Sequence, residues 1–95
     1  MSYYRFEANR ISGDGNALFP DVIIIDDEEE VVIYRKGKIL GYNEVKIRFG
    51  AIASVSRSKH VLITDIYIET RGGREIVACG FNHYDANRII ELLSF

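Results

Sequence analysis

Along most of the chain apolar residues recur in short runs or at every second position, and only the final segment switches to spacings of three and four. Tyr4 and Phe6 alternate with Arg5 and Glu7, which predicts a short leading strand. Ser12-Gly13-Asp14-Gly15-Asn16 reads as loop, because Gly and Asn tolerate positive φ and Asp and Asn bond their own backbone. Pro20 lacks an N–H and fits just before the next strand, the buried run Val22-Ile23-Ile24-Ile25. The acids Asp26-Asp27-Glu28-Glu29-Glu30 predict a solvated turn, and Val31-Val32-Ile33-Tyr34-Arg35 the return strand, closed by Lys36-Gly37-Lys38. Glu44-Val45-Lys46-Ile47-Arg48-Phe49 alternates cleanly, placing Val45, Ile47 and Phe49 on one face and the charges on the other. A shorter strand follows at Ile52-Ala53-Ser54-Val55-Ser56. Residues 61–70 and 74–80 predict two strands joined by Arg71-Gly72-Gly73, where glycine accepts the positive φ of a primed hairpin turn. Ala86, Ile89, Ile90 and Leu93 then fall at i, i+3, i+4 and i+7, a helical stripe over residues 83–94, with Asn82 as N-cap and Asp85 near the positive end. A helix of this length is marginal alone, so it must dock on the sheet.

The expected architecture is mainly β: a bent antiparallel sheet or barrel of about seven strands capped by one C-terminal α-helix, in a single domain over residues 1–95. Composition narrows the role. Of 95 residues, 47% are hydrophobic and 27% charged, which excludes a disordered or low-complexity chain. The run of four at Val22–Ile25 is far short of the roughly 18 apolar residues that a membrane helix needs. The opening Met1-Ser2-Tyr3-Tyr4-Arg5 has no basic start leading into an apolar stretch, so no signal peptide is expected. A lone Cys79 offers no internal disulfide and no cysteine metal cage, so the expected compartment is a reducing cytoplasm. A formal net charge of -2 argues against nucleic-acid binding through phosphates.

The order of elements resembles the bacterial pleckstrin-homology-like (PH-like) domains. The likeness rests on Ile23-Ile24-Ile25-Asp26-Asp27-Glu28, then Val32-Ile33-Tyr34-Arg35-Lys36-Gly37. It continues through Ile47-Arg48-Phe49-Gly50-Ala51-Ile52-Ala53-Ser54-Val55 and Ile66-Tyr67-Ile68-Glu69-Thr70, and ends with Gly72-Gly73 and the closing segment from Gly80-Phe81 to Leu93. It covers about residues 22–93, with residues 1–21 as a leading strand and loop. The resemblance implies a non-enzymatic binding or assembly scaffold, with a protein partner or self-association into a homo-oligomer, no catalytic residues and no cofactor. Lipid-binding pleckstrin domains carry a basic loop between their first two strands; in the pairing suggested by the residues, that position holds Asp26 to Glu30, which would repel headgroup phosphates.

Two surfaces are candidates. In the segment 61–70, Leu62, Ile66 and Ile68 face one way and Val61, Ile63 and Tyr67 the other; in the next strand Ile76 and Ala78 oppose Val77, Cys79 and Phe81. A sheet apolar on both faces must be covered. Either the N-terminal segment with Tyr3, Tyr4 and Phe6 folds over the surplus, or Val61, Ile63, Tyr67 and Ile76 mark a partner or homo-oligomer contact. The alternative is an anionic-ligand or anionic-lipid surface at a membrane, built from Lys36, Lys38, Lys46 and Arg48 with Arg35 nearby; the same charges also suit a hairpin kept soluble and safe from edge pairing. Five adjacent acids lack the spacing of a calcium loop, and no metal site is expected. His60 and His83 read as exposed residues without a converging nucleophile or carboxylate set, and Cys79 as a small buried hydrophobe.

Overall fold

A computed structural model describes residues 3–8, 20–38 and 41–94, with the side chains of Lys38, Gly41 and Tyr42 left aside. The chain runs β1 (Tyr3–Glu7), β2 (Val22–Asp26), β3 (Val31–Lys38), β4 (Gly41–Arg48), a 3₁₀ turn (Phe49–Ala51), β5 (Ile52–Lys59), β6 (Thr64–Thr70), β7 (Glu75–Phe81) and α1 (His83–Leu92). All pairings are antiparallel, and the strands form two meanders, β1-β2-β3-β4 and β5-β6-β7. Among the described residues the fold is therefore mainly β, with seven strands and one C-terminal helix, as the hydrophobic pattern predicts. The sheets are bent and separate rather than closed into one barrel.

Register shows why these residues make a core. Two cross-strand rows of the first sheet, Phe6–Ile23–Tyr34–Val45 and Tyr4–Ile25–Val32–Ile47, point inward together. The second sheet answers with Val55–Ile68–Ile76 and with Ile66–Ala78, and α1 lays Ala86, Ile89 and Leu93 onto the same cluster. β2 is buried on both faces, since Val22 and Ile24 are buried as fully as Ile23 and Ile25. The leading strand therefore does not fold over the second sheet. β1 extends the first sheet, and Phe6 joins the common core.

Four local expectations are corrected. Lys36-Gly37-Lys38 is not a turn: β3 continues, with Gly37 opposite Tyr42 and Lys38 opposite Gly41. Val61, Leu62 and Ile63 are not strand: His60 N donates to the Ile63 carbonyl at 2.8 Å and closes a turn before β6 begins at Thr64. Phe81 does not share a face with Val77 and Cys79. Pairing steps from Ile66↔Ala78 to Thr64↔Phe81, three residues on β7 against two on β6, so a bulge at Gly80 (φ 91°) turns Phe81 inward. The hairpin at Arg71-Gly72-Gly73 forms, but positive φ falls on Gly73 (86°) and not on Gly72, the pattern of a three-residue loop rather than a primed turn. The loop Ser12-Gly13-Asp14-Gly15-Asn16 lies outside the described residues.

One carboxylate joins the two sheets. Asp21, just before β2, accepts from Gly37 N (3.0 Å) of β3 and Cys79 N (3.3 Å) of β7. The Tyr34 hydroxyl lies 3.0 Å from both Asp21 Oδ2 and the Val77 carbonyl, and with one proton it donates to one at a time.

Candidate functional site

The second sheet has two functional-looking ends. At one, the turn of residues 27–30, the Phe49–Ala51 turn and the β6–β7 hairpin meet. The meeting is fixed by backbone bonds, Phe49 N to the Glu30 carbonyl and Arg71 N to the Ala51 carbonyl, each 2.9 Å. The acidic turn is locally self-sufficient: Asp26 Oδ1 accepts from Glu28 N (3.1 Å) and Glu29 N (3.0 Å), and Glu30 takes the left-handed φ of 57° that brings the chain back into β3.

Two adjoining grooves of about 760 Å³ each open at this corner and share Glu30, Phe49, Gly50 and Arg71. Val31, Ala51, Ile52, Val55 and Leu93 give them an apolar floor. Lys46 and Arg48, on the outer face of β4, supply one rim with Arg71, whose Nε donates to the Gly50 carbonyl at 2.9 Å. None of the three makes an ion pair among the described residues. Glu29 and Glu30 line the same groove.

Of the four anionic-ligand candidates, Lys46 and Arg48 therefore act together, but Lys36 and Lys38 do not join them. Because β3 runs on past residue 36, Lys36 sits five register rows from the Val31–Arg48 pair, about 16 Å along the hairpin. Lys36 also occupies the opposite alternation phase from Lys46 and Arg48, and the side chain of Lys38 lies outside the described residues. Arg35 is engaged by Glu44 at 2.7 Å. Arg71 was missed in the sequence because it lies in a hairpin turn remote from β4, and no local pattern brings the two together.

The partner-surface set is divided as well. Ile76 is 4% exposed, opposite Ile68 in the core; its expected place beside Tyr67 is wrong because Tyr67 pairs with Val77 on the other face. Tyr67 and Ile63 are half-buried, and only Val61 projects fully, at 91% exposure, next to Leu62 at 78%. This is the second end, the β5–β6 hairpin tip.

His83 anchors the tip and is not the bystander expected. Its Nδ1 lies 2.7 Å from the hydroxyl of Thr64, a buried residue, and its Nε2 3.1 Å from the Val61 carbonyl. A carbonyl only accepts, so Nε2 donates; in the neutral ring Nδ1 then accepts from Thr64. His60 pairs with Asp65 at 3.2 Å. Cys79 is half-buried on β7 rather than a core residue.

Among the described residues, no group of three or more His, Cys, Asp or Glu is placed to hold a metal ion, and no helix is long and apolar enough to cross a membrane. The acidic turn joins β2 to β3. No family model matches the chain, and neither a curated protein nor a solved structure is significantly similar to it.

Proposed function

We propose that this chain is a non-enzymatic binding module, a bacterial PH-like domain of the cytoplasm, that holds an acidic segment of a protein partner in the corner groove. The observation that carries the reading is the convergence of Lys46, Arg48 and Arg71, with no ion pair among the described residues, on a groove floored by Phe49 and Ala51. Carboxylates of the partner meet the cationic rim, and an apolar side chain covers the floor. Glu29 and Glu30 in the same lining reject a ligand that is acidic throughout and select one with mixed character. The order of seven strands and a closing helix supports the PH-like part of the reading, and the lone Cys79 supports a reducing compartment. A patch this small and open suits a weak, transient contact.

The test is fluorescence anisotropy with a labelled eight-residue peptide alternating Glu with Leu and Phe, beside a Lys-for-Glu counterpart. The acidic peptide binds in the micromolar range and the basic one does not. Reversing Arg48 and Arg71 to Glu weakens binding by about tenfold or more, because unlike charges across a contact become like. Equal binding by the reversed variant, or none at millimolar protein, overturns the proposal.

A further inference from the structure

The two meanders leave four edges, and three of them are guarded against pairing with another chain. β4 presents Lys46 and Arg48 two residues apart, and its one acid, Glu44, is held by Arg35 at 2.7 Å. β5 carries a bulge, since Ile52 and Ser54 pair with the adjacent Thr70 and Glu69, and it ends in Arg57-Ser58-Lys59. β7 turns its outer edge to the first sheet, where Cys79 N donates to Asp21 and the Val77 carbonyl lies 3.0 Å from the Tyr34 hydroxyl. β1 has none of these devices. All five of its residues stay in register with β2, without a Lys, a Pro or a bulge, and no strand pairs with its other side among the described residues.

The backbone bonds show what that edge offers. Ala8 N donates to the Asp21 carbonyl at 2.8 Å and continues the β1–β2 register by one pair. Hydrogen-bonded pairs alternate along an antiparallel ladder, so Phe6 and Tyr4 also direct their N–H and C=O groups at β2. Those of Arg5 and Glu7 therefore point away from β2, out of the edge. The side chains of the same two residues are exposed, at 47% and 41%, and lie 3.4 Å apart as an ion pair.

We propose that β1 pairs with β1 of a second copy of this chain, antiparallel about a two-fold axis at Phe6, joining two four-stranded sheets into one of eight. The sequence around Phe6 is its own complement. Arg5 lies opposite Glu7 of the second copy, and Glu7 opposite Arg5 of the second copy. The outward N–H and C=O groups of both residues are then bonded across the seam, and each guanidinium faces a carboxylate. Phe6 meets Phe6 on the core side, so the inward row Phe6–Ile23–Tyr34–Val45 runs on into the second copy. Charge fixes the register. A shift by two residues sets Arg5 against Arg5 or Glu7 against Glu7, and a slip by one sets Phe6 against Arg5 or Glu7. β1 lies outside residues 22–93, which carry the PH-like resemblance, and shares no residue with the corner groove, so the inference is independent of the peptide-binding reading. A seam of one short strand is small, and the contact is weak, with a Kd on the order of 100 μM.

The experiment is sedimentation equilibrium of the full chain from about 10 μM to about 1 mM, a range that brackets such a Kd. The unaltered chain shifts from monomer to dimer mass across it. Arg5→Glu and Glu7→Arg, both at exposed positions, keep the urea midpoint and each weaken dimerisation at least tenfold, because like charges come to lie opposite. Mixing the two variants one to one restores a dimer, since the acidic edge of one then faces the basic edge of the other. The exchanged double variant Arg5→Glu, Glu7→Arg dimerises as the unaltered chain does. Amide exchange gives a second reading: the Arg5 and Glu7 amides become protected as concentration rises, whereas that of Phe6, bonded within its own sheet, is protected throughout. A monomer at the highest concentration overturns the proposal. So does a dimer that survives either single reversal unchanged, or one that the mixture fails to restore. A dimer abolished by Val61→Ser, Leu62→Ser also overturns it, and would place the contact at the β5–β6 tip.

Discussion

Asp21 accepts hydrogen bonds from Gly37 on one sheet and Cys79 on the other, and holds the Tyr34 hydroxyl between them. Bonds to a charged acceptor contribute about 1.5–3 kcal/mol each at best, and partly buried donors left unpaired add a desolvation cost. Asp21→Ala is therefore expected to lower unfolding free energy by about 2–4 kcal/mol, read as a shift of the urea midpoint. Tyr34→Phe removes one hydroxyl and leaves the backbone donors bonded to Asp21, so its cost is smaller, about 1 kcal/mol. A loss for Asp21→Ala no larger than that of Tyr34→Phe would mean the seam is held by packing alone. His83 is the second residue of this kind. His83→Ala strips Thr64 of its ring partner in a buried position, for an expected loss of about 1–3 kcal/mol. Thr64→Val in the same background recovers part of it, since the orphaned hydroxyl is gone; a double-mutant cycle with no coupling would refute the pairing.

At the scale of the element, α1 is stabilised by its cap and by its apolar stripe in unequal measure. Asp85 N donates to Asn82 Oδ1 at 2.8 Å, so Asn82→Ala is expected to cost about 1 kcal/mol. Ile89, wholly buried, should cost about 2–5 kcal/mol as Ile89→Ala, because a cavity adds to the lost transfer energy. Thermal melts followed by far-ultraviolet circular dichroism rank the two, and the reverse order would show that α1 does not depend on docking. This helix was fully legible in the sequence, because its 3.6-residue stripe and its cap are local signals. The second half of β4, Glu44–Arg48, was legible through strict alternation, and the place of the β6–β7 hairpin, though not its turn type, through its glycines. Residues 61–63 were misread because branched apolar residues mark a buried strand and an exposed tip in the same letters, and only the His60–Ile63 bond separates them. The bulge that turns Phe81 inward depends on cross-strand count and leaves no trace in one strand's pattern. Of the groove, Lys46 and Arg48 were visible as outward charges on β4. Arg71 was not, since its place beside them comes from the Ala51–Arg71 backbone bond between distant segments.

For the molecule as a whole, the decisive fact is that two sheets with no strand pairing between them share one core. Phe6, Ile23, Ile25 and Val32 of the first sheet belong to the same buried cluster as Ile66, Ile68 and Ile76 of the second and Ile89 of the helix. Unfolding one would expose the inner face of the other, so the chain should unfold in a single cooperative transition. Substitutions in different sheets then act on the same equilibrium. Ile25→Ala in β2 and Ile68→Ala in β6 should each remove about 2–5 kcal/mol and move the same urea transition without splitting it. Tyrosine fluorescence and circular dichroism should trace coincident curves, because Tyr34 and Tyr67 report from different sheets. Non-coincident curves, or a variant that melts one sheet while the other persists, would show two folding units and remove the reason for placing the groove and the tip on one rigid body. Exposed positions obey the opposite rule. Val61 and Leu62 contribute nothing to this core, so their replacement leaves the midpoint where it was.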